Sequence, residues 1–111
     1  MNVYDTANKL AQEIKTSEEY MNYKMAKQAI NLNSELKTKI DDFEKARYEA
    51  QIIAMQTGKN DDEKMKKVQD LYTHLMENQE AKKFFEAETK FNILFADVNK
   101  IIGESIRDVM E

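Results

Sequence analysis

No proline interrupts this chain, and only two glycines, Gly58 and Gly103, punctuate it. A sheet protein needs turn residues about every eight to twelve positions, and 111 residues without them cannot be folded back often enough to pair strands. The fold class implied is all-α. Hydrophobic residues make up 41% of the chain, among them five Phe, five Tyr and seven Met, which is enough apolar mass for a core. The length fits one all-helical domain over residues 1–111 and is too short for two ordinary ones.

Apolar periodicity places the helices. Val3, Ala7, Leu10 and Ile14 recur at helical spacing, widened by Tyr4 and Ala11. Thr16-Ser17-Glu18-Glu19 reads as a stop followed by a capped start, with acidic residues at the positive end of the next helix. That second helix carries Tyr20, Tyr23, Lys27 and Ile30, a weak stripe that predicts a position near the surface. Asn33 caps a helix of about 24 residues bearing Leu36, Ile40, Phe43, Ala46, Ala50 and Ile53, and Gly58 closes it. Asn60 and Glu63 have the spacing of a capping box before Met65, Val68, Tyr72 and Leu75. So short a link predicts a central antiparallel hairpin of these two helices.

Asn78 opens the last helix. Ala81, Phe84, Glu88, Phe91, Phe95, Val98, Ile102, Ser105 and Val109 follow steps of three and four, and Leu94, Ile101 and Ile106 broaden the stripe. About thirty residues at roughly 1.5 Å each span some 45 Å, more than a small domain is wide. Either the helix breaks near Gly103 or a second copy of the chain covers the remainder, and the second alternative is preferred. The candidate dimer or interaction face is therefore Phe84, Phe91, Phe95, Val98, Ile102 and Val109. The expected architecture is a bundle of about four to five helices with a long C-terminal helix. Ser17, Asn33 and Asn78 each precede a Glu by two residues, a recurrence that ordinary helix capping explains without invoking duplication.

Chemistry is sparse. Without cysteine there are no disulfides, thiolate nucleophiles or Cys-held clusters. The one histidine, His74, shares a helix face with Asp70 and Glu77, but no Glu-x-x-His pair exists, so a boundary residue is expected rather than a metal ligand. Glu88 lies within the apolar stripe, where a buried carboxylate can act as an acid. No second carboxylate or nucleophile is placed to work with it, and a structural partner is the preferred reading. The clusters Lys64, Lys66, Lys67 and Lys82, Lys83 read as solvated faces, and a net charge of −4 argues against direct nucleic-acid binding. Tyr20, Tyr23, Tyr48 and Tyr72 fit either core or interface. No nucleophile elbow, phosphate loop or dinucleotide fingerprint appears, so no catalytic, cofactor or metal residues are assigned. No signal peptide or membrane-length apolar run is seen, and the expected setting is cytoplasmic.

The order of motifs resembles the YlbF/YmcA family of small helical bacterial proteins, most closely its YheA-like branch. The stretches concerned are Val3-Tyr4-Asp5 running to Leu10, Ser17-Glu18-Glu19-Tyr20, Phe43 with Gln51 and Gly58, and Phe85-Glu86-Ala87-Glu88 leading to Asn99-Lys100-Ile101-Ile102. The resemblance is full length. It implies a Firmicutes-like cytoplasmic protein, dimeric and without catalytic activity. In the better-studied branch it implies regulatory partners in an RNase Y-linked complex of messenger-RNA processing, competence, sporulation and biofilm formation. That branch holds iron–sulfur clusters through cysteines, which this chain lacks. The branch nearer this chain often has a proline after the Ile-Ile pair, where Ser105 stands here. The expected function is a non-enzymatic helical protein-interaction or regulatory module, homodimeric, with a protein partner. The alternative is an accessory regulator of the RNase Y-linked complex.

Overall fold

A computed structural model describes residues 2–111. Six helices follow one another: α1 (Val3–Lys15), α2 (Glu18–Asn31), α3 (Ser34–Thr57), α4 (Asp62–Leu75), α5 (Gln79–Ser105) and α6 (Arg107–Met110). Among the described residues there is no strand, and hence no β-hairpin.

Side-chain caps set most of the boundaries. Ser17 Oγ accepts from the Tyr20 amide at 3.2 Å, Asn33 Oδ1 from Leu36 at 3.1 Å and Asn78 Oδ1 from Ala81 at 3.0 Å. Each cap meets the amide three residues on, which would otherwise lack a partner. The α4 cap departs from expectation. Asp61, not Asn60, takes the position, accepting from Lys64 at 3.1 Å. Its carboxylate adds a favourable charge at the helix's positive end. Gly58 closes α3 at φ 74°, where a side chain would be strained.

The core lies where four helices converge. Ile30 from the end of α2, Leu36, Ile40 and Phe43 from the start of α3, Leu75 from the end of α4, and Ala81, Phe84 and Phe85 from the start of α5 form one buried cluster. Two helical pairs leave it. In one, α3 and α4 lie side by side, with Phe43 against Tyr72 at 5.7 Å and Glu49 reaching Lys64 at 3.9 Å. In the other, α2 runs along α5, with Tyr23 against Phe84 at 5.8 Å and Tyr20 against Phe91 at 6.0 Å. As expected, α2 lies near the surface, with Ile30 alone buried, and its tyrosines pack on α5. The count of four to five helices is corrected, because the C-terminal stretch divides into α5 and α6.

A serine hydroxyl sits at the division. Ser105 Oγ donates to the Ile102 carbonyl at 2.7 Å, and the Ile106 amide turns instead to Gly103, three residues back, at 3.4 Å. Competition of this kind between a serine hydroxyl and the backbone loosens a helix. Ile106 leaves the helical region, at φ −114° and ψ 9°. Gly103 itself stays helical inside α5.

The molecule is flat, 51 × 38 × 16 Å along its principal axes. Its radius of gyration is 17.9 Å, where a compact chain of this length gives about 13 Å.

Candidate interaction surface

Seven aromatic contacts join Phe43 and Tyr72 through Phe85, Phe84 and Tyr23 to Phe91, and end with Phe95 stacked on Phe91 at 6.1 Å and 15°. The series carries the core up α5 to its exposed half. The six residues of the expected face divide along it. Phe84 is buried in the chain's own core and Phe91 is half-buried between Tyr20 and Tyr23. Phe95 and Ile102 are about half exposed, Val98 is half-buried, and Val109 lies on α6 beyond the break.

Past Phe95 the apolar residues have little intrachain cover. Ile101 is 69% exposed and Ile102 47%, with Ile106 and Val109 also open. At roughly 100° per residue, Phe95, Val98, Ile101 and Ile102 share one side of α5, and Asp97, Lys100 and Glu104 fall on the other. Sequence reasoning passed over α1, which has no buried residue; its Val3 is 73% and Tyr4 76% exposed. The same stripe of Val3, Ala7, Leu10 and Ile14 that identified the helix was the signal available.

Glu88 has a partner. Tyr23 Oη donates to Glu88 Oε2 at 3.2 Å, fastening α2 to α5 inside the aromatic seam. Burial pushes the Tyr23 phenol above its ordinary pKa, and the charges of Glu88 and Glu44 push it further. His74 pairs at 3.7 Å with Glu77 on the surface, and among the described residues no group of three or more His, Cys, Asp or Glu converges on a metal position. Of the lysine clusters, Lys64 pairs with Glu49 and the others face solvent. Tyr48 is exposed on α3, and Tyr72 is partly covered by Phe43 and Phe85. A shallow crevice of about 400 Å³ between α2 and α5 mixes Glu18, Glu19 and Glu86 with Lys83 and Lys90, charges that largely cancel. No helix among the described residues is long and apolar enough to cross a membrane. Exposed apolar residues remain on α1 and on outer α5.

Residues 3–107 match the profile of a family described as control of competence regulator ComK, YlbF/YmcA. The chain belongs to that family. Similar YlbF/YmcA relatives are UPF0342 proteins, in keeping with the YheA-like branch. One from Clostridium novyi (strain NT) is 32% identical over 97% of this chain and 95% of its own length. Another, from Desulfitobacterium hafniense (strain Y51), is 34% identical over 99% of this chain and 89% of its own. Two solved structures share the fold. A Bacillus stearothermophilus protein of unknown function (DUF964) superposes with a TM-score of 0.82 at 15% identity, covering 98% of this chain and 96% of that one. Bacillus subtilis RicA, solved in complex with RicF, superposes with a TM-score of 0.62 at 21% identity and the same coverage.

Proposed function

We propose that this YlbF/YmcA protein is a non-enzymatic interaction module that works as a homodimer through the uncovered face of α5. The observation that carries the reading is area. The chain exposes 8934 Å², where a folded monomer of its 13.0 kDa mass exposes about 6,300 Å². A stable interface takes roughly 800 Å² from each partner, about a third of that excess. The exposed residues in question are aliphatic and aromatic, the types whose removal from water drives association. Sedimentation at micromolar concentration is the test. The expected mass is that of two 13.0 kDa chains, and a single-chain mass there removes the homodimer.

One observation favours a second reading. A protein of the same fold, RicA, is seen in complex with a different protein, RicF. An accessory regulator acting inside a heteromeric, RNase Y-linked complex uses the same face, with another chain in place of the second copy. Affinity purification from the native cell then recovers a ribonuclease with this chain. Recovery of the chain alone at native abundance rejects that reading.

A further inference from the structure

The outer half of α5 is not the only segment left uncovered: α1 has no buried residue. Because α2 and α5 run antiparallel from the core to the level of Tyr20 and Phe91, α1 ends, at Lys15, and outer α5 continues at that same end of the molecule. Their exposed apolar residues do not cover one another within a chain: Val3, Tyr4, Ile101 and Ile102 all remain open. We infer that α1 is a docking arm whose apolar stripe packs on the outer half of α5 of a second copy, each copy giving and receiving one arm. This rests on the homodimer reading and specifies its geometry.

Three features favour this occupant. The lengths correspond: α1, with 13 residues, spans about 20 Å, and Phe95 to Ser105 spans about 16 Å. The chemistry corresponds too. The α1 stripe of Val3, Ala7, Leu10 and Ile14 holds no charge, and the charges of outer α5 lie on its far side, where Lys100 pairs with Glu104 at 4.0 Å. Docking therefore desolvates no ion. Finally, a two-fold exchange covers both open stripes of both chains and leaves neither unfilled, which is how a closed, isologous contact avoids chain-like growth. A partner of another sequence would have to bring two matching stripes of its own. The outer α5 stripe, broadened by Leu94 and Ile101, is wide enough to meet more than one helix.

The absence of native cysteine makes the test clean. Single variants carrying Ala7→Cys or Ala11→Cys are mixed with Ile102→Cys or Ile106→Cys, left to exchange subunits, oxidised, and resolved by non-reducing electrophoresis and mass spectrometry. The expected product is a disulfide between an α1 variant and an α5 variant, in clear excess over either homodisulfide for at least one combination. Double variants in one chain then form covalent dimers rather than closed monomers. In parallel, Tyr4→Asp with Ala7→Asp, both at exposed positions near the positive end of α1, keeps the helix and weakens the dimer at least tenfold. If only α5–α5 disulfides or intrachain loops form, and the acidic pair leaves dissociation unchanged while sedimentation still shows two chains, the arm is overturned and the homodimer stands. A single-chain mass for the native protein overturns both.

Discussion

At the scale of single residues, the polar contact between Tyr23 and Glu88 stands apart from its surroundings. It joins residues 65 positions apart, and it is set among aromatic rings. Removing the phenol by Tyr23→Phe leaves the half-buried carboxylate without that donor. The expected loss is about 1 kcal/mol in urea denaturation, with the packing of the ring retained. The pH response has a definite direction. A phenol held above its ordinary pKa binds its proton more tightly in the folded chain. That stabilisation is complete below the unfolded value of about 10 and is lost as pH rises from there through the folded value. The gap in melting temperature between the native protein and Tyr23→Phe should therefore narrow above that pH. Glu88 was visible in sequence as an acid out of place in an apolar register. Its partner was not, because helical periodicity carries no information about which helix lies alongside.

At the scale of elements, the boundaries were the most legible part, since caps act over three residues and are written locally. Ser17, Asn33 and Asn78 all cap as their spacing predicts. Asn78→Ala should cost about 1 kcal/mol, measured by thermal unfolding, because it frees the Ala81 amide at the foot of the buried end of α5. The partner of α2 was illegible for the opposite reason: a thin stripe of two tyrosines and one isoleucine does not say that Phe84 and Phe91 lie against it. The break after Ser105 is subtler still. Nothing in an apolar register distinguishes a serine that faces solvent from one that bonds back to Ile102. Ser105→Ala removes that competitor and lets the Ile106 amide return to the Ile102 carbonyl. Hydrogen exchange at Ile106 should slow, and the far-ultraviolet helix signal should rise slightly, as α5 and α6 join.

At the scale of the whole molecule, all-helical architecture followed from the lack of proline and the scarcity of glycine, and the overlong C-terminal stripe foretold a surface one chain does not close. The flatness was beyond sequence reasoning, because it depends on two helical pairs diverging from a small core rather than wrapping it. If two copies bind through outer α5, the melting temperature of the native protein rises with concentration. Ile102→Asp, at a half-exposed position, should abolish that rise while leaving the helix content of the dilute protein unchanged. An invariant native melting temperature would reject the homodimer. The exposed outer half of α5 has a consequence for the living cell. Held by its own backbone bonds and little else, that segment frays in a solitary chain and offers proteases an unfolded handle. If the protein pairs through this face, copies without a mate are the ones open to cleavage, and its lifetime in a protease assay lengthens as its concentration rises.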